Sequence, residues 1–256
     1  MKVRVSFMAV FVFAAAFAVP ATAAPAAGAA TARDPVIIVA GTFAGEGTAD
    51  VYYAPLAARL RADGYQPFIF GLPGGGLGDI AVTSQALNVF ADQVRAQTGA
   101  ARVDLIGHSQ GGLVGRYYIK YLGGASEVDS MIGLGAPDYG TSLANLATLL
   151  GLGSCLGVVA CQQMAIGSSF LANLNAGDDT IGNVDYTNIA SALDEIVTPY
   201  WNAFLNNDGN NQNVLVQSPC FLRVVGHIGL PLDGTVYSGI LDALAHRAIS
   251  LNCFAV

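Results

Sequence analysis

Hydrophobic positions fall into two rhythms that take turns along the chain. Val36-Ile37-Ile38-Val39-Ala40 is an unbroken apolar run, and Gln66 to Phe70, Val103 to Ile106 and Val128 to Leu134 are short runs of the same kind. Runs of this length, rich in β-branched and aromatic residues, predict strands buried on both faces. Between them the spacing changes. Tyr53 to Asp63 sets Leu56 and Leu60 on one face, with Pro55 in the first turn and Gly64 as a stop, which predicts a helix. Thr83 to Thr98 carries Leu87, Phe90, Ala91 and Val94 at the i, i+3, i+4, i+7 spacing of an amphipathic helix. Gln110 to Leu122 predicts a third helix, whose Gly111, Gly112 and Gly115 allow it to lie close against a sheet. The alternation predicts an α/β fold with a mostly parallel central sheet and helices on both faces.

The pattern lapses from Ala136 to Asn183, which is rich in Gly, Ser, Asn and Ala, with short apolar pieces such as Leu143 to Leu152. Residues 136–183 read equally as packing on the sheet edge or as a cap over a site, since long insertions are often functional. Val184 to Ser191 and Phe221 to Val225 are then expected as the last two strands, and Thr235 to Leu251 as a closing helix. The N-terminus lies apart from this scheme. Lys2 and Arg4 precede an apolar run from Val5 to Val19, and Ala21-Thr22-Ala23 offers a cleavage site, so residues 1–23 read as a secretory signal peptide. The run is shorter than the ~20 residues needed to span a bilayer, which favours export with removal. Residues 24–34 read as a loose leader and 35–256 as one large domain.

Within this frame one stretch carries chemistry. Gly107-His108-Ser109-Gln110-Gly111 joins a strand-like run to a helix-like run. A G-x-S-x-G in that context is a nucleophile elbow, in which a sharp turn lifts the Ser109 hydroxyl clear of the sheet. Side chains at positions 107 and 111 would collide with the neighbouring strand or helix. The first backbone N–H groups of the new helix are left pointing at whatever the serine attacks.

A serine hydroxyl needs a base, and the base needs an acid to hold its tautomer; on this architecture the chain order is Ser, acid, His. Three histidines are present. His108 adjoins the serine and points away from it. His246 falls on the stripe Ser238, Asp242, His246, Ser250, the solvated face of the closing helix. His227 follows a predicted strand and Gly226, at the C-terminal sheet edge where open α/β sheets bind ligands, and is the candidate base. Asp194 lies just past another strand at the same edge; its neighbour Glu195 is the residue it could be confused with.

Composition narrows the partners. Without Lys2 and Arg4 the 11 basic residues fall to 9, against 18 acidic ones, a net charge of −9. Such a chain is a poor match for nucleic acid. Charged residues make up 11% of the sequence, against ~25% in ordinary soluble proteins, which suits contact with apolar substrates. Cys155, Cys161, Cys220 and Cys253 are an even set in an exported chain and lack metal-ligand spacing, so disulfides are expected. The short loop favours Cys155 with Cys161, leaving Cys220 with Cys253. Gly76 to Ala81 matches the dinucleotide pattern G-x-G-x-x-A, but Pro73-Gly74-Gly75 makes the loop too long, and no acid ends the next strand. There is no Gly-Lys pair for a phosphate loop and no D-x-D-x-D-G calcium loop, so no metal or other cofactor is expected.

Four motifs then carry a resemblance. Gly-His-Ser-Gln-Gly-Gly (107–112), Ala-Pro-Asp-Tyr-Gly-Thr (136–141), Ser-Ala-Leu-Asp-Glu-Ile-Val-Thr-Pro (191–199) and Val-Val-Gly-His-Ile-Gly-Leu-Pro (224–231) together resemble the class 2 secreted bacterial lipases, and also the fungal lipase B type. The resemblance implies an α/β-hydrolase fold and cleavage of carboxylic esters by Ser109, with Asp194 rather than Glu195 as acid and His227 as base. It implies an oxyanion hole from the N–H groups of Thr42 and Gln110, with the Thr42 hydroxyl as a third donor. Ala40-Gly41 stands where many lipases have His-Gly. The implied partner is a lipid or other apolar ester, with transient contact to a lipid interface, and a monomer is expected.

Overall fold

The computed structural model describes residues 33–142, 147, 155, 157–206 and 209–256, together with Met1. The expected signal peptide, residues 1–23, and the leader up to residue 32 lie outside the described residues. Six strands form one sheet: β1 (Val36–Val39), β2 (Pro67–Phe70), β3 (Val103–His108), β4 (Val128–Leu134), β5 (Asp185–Ala190) and β6 (Asn211–Leu215). Their spatial order is β2-β1-β3-β4-β5-β6, and every pairing is parallel. β1 and β3 are buried at every position, as strands covered on both faces must be.

Among the described residues the helices with defined bounds are α1 (Thr48–Tyr52), α2 (Ala54–Ala62), α3 (Ile80–Thr98), α4 (Gln110–Tyr121), α5 (Val159–Gln163), α6 (Ser169–Leu174) and α7 (Gly234–Leu244). Gly115 of α4 lies so close to Met131 and Leu105 that a Cβ there would meet them at 2.9 and 3.5 Å. Met131 is in register with Tyr186, and Ile189 three residues on points to the opposite face, where it meets Gly239 of α7. Helices therefore cover both faces, and this is the α/β-hydrolase fold.

Strand order also places the site. The chain runs outward from β1 to β2 and then returns to lay β3 on the other side of β1. At such a switch point the loops leaving the two strands diverge and open a crevice at their C-terminal ends. The loop after β1 carries Thr42, and Ser109 follows β3 directly.

Three expectations about elements need correction. Phe221 to Val225 is not a strand: Phe221, Leu222 and Val224 are 78–82% exposed, in a segment that turns from Cys220 (Arg223 N–H to Cys220 C=O, 2.8 Å). The sixth strand is instead Asn211–Leu215, whose polar residues hid it. Its Asn211 and Asn213 side chains accept from the Asn188 amide at 2.9 and 3.0 Å, so an amide ladder lines one face of this strand while Val214 on the other packs against the core. The closing helix stops at Leu244 rather than Leu251. His246 adopts φ 51°, and Asp242 accepts from Arg247 and from the Ser250 N–H at 2.9 Å, which turns the chain away. Helix α3 begins three residues before the expected Thr83, because Asp79 caps it by accepting from the Ala81 N–H at 2.8 Å. Gln163 takes the Ile80 N–H at 2.8 Å, so protein groups already fill the end of the dinucleotide-like stretch.

Of residues 136–183, positions 143–146, 148–154 and 156 lie outside the described residues. Of the remainder, α5 packs on α3 and α6 on α4. Buried Arg116 reaches Asp138 at 3.1 Å and Asn175 at 2.9 Å. Cys155 is bonded to Cys161, and Cys220 to Cys253.

Candidate active site

Gly107 and Gly111 make the turn after β3 possible. A Cβ on Gly107 would lie 2.6 Å from the Gly112 nitrogen, and one on Gly111 would lie 2.3 Å from the Val39 carbonyl oxygen. Strand, helix and β1 are thus in backbone contact, with no room for side chains. Ser109 between them takes φ 54°, ψ −127°, a conformation rare for a residue with a side chain and typical of strained functional turns. Gln110 opens α4, so its N–H has no carbonyl one turn earlier to bond. The Thr42 hydroxyl donates to Gln110 Oε1 at 2.8 Å, tying together the two residues proposed as oxyanion donors.

The structure brings His227 and Asp194 together: Nδ1 lies 2.8 Å from Oδ2, and both side chains are almost wholly buried. The other Asp194 oxygen accepts from the N–H groups of Ile196 and Val197 at 2.9 and 2.7 Å. These bonds fix the carboxylate's orientation. Glu195 acts differently from its neighbour, for its Oε2 accepts from the His227 backbone N–H at 2.9 Å. One acid holds the ring and the other holds the peptide that bears it.

Ser109, Thr42 and His227 all line one cavity of about 260 Å³. Its remaining walls are mainly apolar, from Phe43, Ala44, Tyr52, Tyr53 and Ile228. The Tyr52 hydroxyl donates to the Ile228 carbonyl, linking α1 to the loop that carries His227. His227 Nε2 has no hydrogen-bond partner among the described residues, so the Ser109 hydroxyl is not bonded to it here. Hydrogen bonds of this kind often close only with substrate in place.

Besides the part of Glu195, the surroundings of His108 and Gly135 escaped the sequence reading. His108 is not simply turned away from Ser109: Nδ1 lies 2.8 Å from the Tyr53 hydroxyl and Nε2 lies 3.1 Å from the His227 carbonyl. Burial, and His227 beside it, push this imidazole down to about 3. Gly135, just past β4 with φ 55°, abuts Asp194 and His227, and a Cβ there would sit 2.9 Å from Asp194 Oδ2. A Gly-Ala-Pro following a strand was the available signal for it. His246 lies far from all of this, between Asp129 and Asp185 at the N-terminal ends of β4 and β5.

Comparison with known proteins agrees with this architecture. Residues 33–217 match the family described as Lipase (class 2), a span that includes Ser109 and Asp194 and ends before His227. Lipase B of Pseudozyma antarctica is 29% identical over 204 residues, covering 76% of this chain and 57% of that protein. A triacylglycerol lipase of Burkholderia plantarii is 34% identical over 145 residues, covering 54% and 40%. The crystal structure of Aspergillus fumigatus lipase B superposes with a TM-score of 0.70 at 22% identity, over 85% of this chain and 54% of that one. The chain thus spans about half the length of these relatives. With the family match extending over well more than half of its residues, the chain belongs to the class 2 lipase family.

Proposed function

We propose that this chain hydrolyses carboxylic esters, with lipid esters such as triacylglycerols as its main substrates, through an acyl-enzyme on Ser109. The observation that carries the reading is the 2.8 Å contact of His227 Nδ1 with a buried, doubly anchored Asp194, while the same histidine shares a cavity with Ser109. A histidine held so must carry its proton on Nδ1, which leaves Nε2 as the basic nitrogen. His227 Nε2 takes the Ser109 proton as the hydroxyl oxygen attacks the ester carbonyl carbon. The Thr42 and Gln110 N–H groups receive the developing oxyanion, each such donor lowering the barrier by about 3–4 kcal/mol. His227 returns the proton to the leaving alcohol, and water, activated the same way, releases the acid. Asp194 stabilises the transient imidazolium throughout.

The apolar cavity walls and the triacylglycerol lipase among the relatives support an apolar ester as substrate. The two disulfides support an oxidising compartment, and with the signal-like residues 1–23 they support export of the chain. The test is hydrolysis of p-nitrophenyl esters over short and long acyl chains. Turnover is expected for the native protein and should be lost in Ser109→Ala. Turnover of no ester, or undiminished turnover in that variant, would overturn the reading.

A further inference from the structure

The groups at the two ends of the hydrogen-bond chain through His108 can each play only one part. The Gly41 N–H can only donate, and it lies 2.9 Å from the Tyr53 hydroxyl oxygen. The His227 carbonyl can only accept, and it lies 3.1 Å from His108 Nε2. Between these ends, Tyr53 Oη and His108 Nδ1 are 2.8 Å apart. The imidazole is buried and neutral, so it has a single ring proton to place. On Nδ1, that proton would leave Nε2 directing a lone pair at the carbonyl lone pairs of His227. On Nε2, every group is matched: Gly41 N–H to Tyr53, Tyr53 O–H to Nδ1, and Nε2–H to the His227 carbonyl.

We propose that His108 is a positioning residue: a neutral imidazole, protonated on Nε2, that sets the peptide of His227 relative to the loop bearing Thr42. This rests on the reading of His227 as the base. His108 is the last residue of β3 and immediately precedes Ser109, so nucleophile, base and oxyanion loop are all referred to one strand end. The two peptides flanking the His227 Cα are both held, the N–H before it by Glu195 at 2.9 Å and the carbonyl after it by His108. With Asp194 on Nδ1, the ring has three anchors that together aim Nε2. The Gly41 end of the chain of bonds adjoins Thr42, so one buried relay spans the gap between proton acceptor and oxyanion donor. Misplacement by a fraction of an ångström at either end would lower turnover more than binding.

The test uses the full chain with isotope-labelled imidazole nitrogens, observed by proton–nitrogen correlation from about pH 5 to about pH 8. The expected result is a His108 that keeps Nε2 protonated and Nδ1 bare throughout. It is assigned by its loss in His108→Asn or, if that variant does not fold, by elimination using His227→Ala and His246→Gln, since only three histidines exist. Tyr53→Phe, which deletes one hydroxyl, should let the Nδ1–H form appear. It should also lower kcat about 10-fold while KM changes less than about 2-fold. An Nδ1–H form in the native protein, titration of His108 within that range, or an unchanged kcat in Tyr53→Phe would each overturn the proposal. If His227→Ala keeps its turnover, the assignment of the base fails instead, and the tautomer of His108 still reports on the relay.

Discussion

The two edges of the sheet each hold a histidine against carboxylates, and the two arrangements do opposite things. At the N-terminal edge, His246 has both ring nitrogens occupied, by Asp129 at 2.8 Å and Asp185 at 2.6 Å, and its side chain is 45% exposed. At the C-terminal edge, His227 is buried, has one carboxylate on Nδ1, and leaves Nε2 without a protein partner. A histidine with both nitrogens bonded to acids is a clasp; it has no nitrogen left to accept a proton. A base needs one nitrogen held and one free. Residue type and the presence of an acid therefore do not distinguish the two, and the count of occupied nitrogens does. His108 adds a third case, with both nitrogens occupied by neutral groups in a site that keeps it uncharged.

The comparison is sharpened most by separating the acids at the C-terminal edge. Asp194→Ala should lower kcat by roughly 10⁴, and Glu195→Gln by far less, because one contacts the ring and the other the backbone. Steady-state kinetics on a soluble ester decides between them, and equal losses would show that the two acids do not divide the work as described.

A smaller effect should come from the covalent tie near His227. Cys220 precedes His227 by seven residues, and its partner Cys253 lies 33 positions away in the chain. In the chain-entropy view a loop of that length is worth roughly 3–4 kcal/mol, and the Cys155–Cys161 bridge less. Replacing Cys220 and Cys253 together by Ser should lower the melting temperature and also activity. Replacing Cys155 and Cys161 should leave activity near normal. A melting curve beside an ester assay checks both.

The least effect is expected at the other edge. The hydrogen bond to Asp185, followed by the charge of Asp129, raises the His246 pKa above 6.5 despite partial burial. A raised value means that the clasp stabilises the fold below about 6.5 and loses that contribution as pH rises through the folded value. Solvent screening keeps it under about 1 kcal/mol. His246→Gln should therefore cost a little stability in mildly acidic solution, nothing well above neutrality, and no turnover. Denaturant curves at the two pH values measure it.

How much of this was legible before folding follows from what each residue interacts with. Apolar strands such as Val36–Val39 announce themselves, because burial on both faces requires continuous apolar runs. The edge strand Asn211–Leu215 does not, since two of its five residues are Asn that bond Asn188 and only Val214 packs against the core. The elbow was legible because Gly107, Ser109 and Gly111 answer to local backbone contact. His227 and Asp194 were proposed from chain order and sheet edge; the strand expected before His227 is absent, yet the turn from Cys220 still brings its ring to Asp194. Glu195, Gly135 and the relay through Tyr53 and His108 were not found. Their parts depend on distances between segments remote in sequence, such as the 119 positions between His108 and His227. The early stop of α7 was hidden too, because side-chain bonds from Asp242, and no Gly or Pro, end the helix.

The central claim is that Ser109 is the nucleophile and that His227 and Asp194 activate it. Its most direct test is inactivation of the native protein with an alkyl phosphonate ester, followed by mass mapping of the peptides. The account predicts loss of activity with a single adduct on the peptide that contains Ser109, and none in His227→Ala over the same time. An adduct on another serine, or full activity after exhaustive treatment, would contradict it.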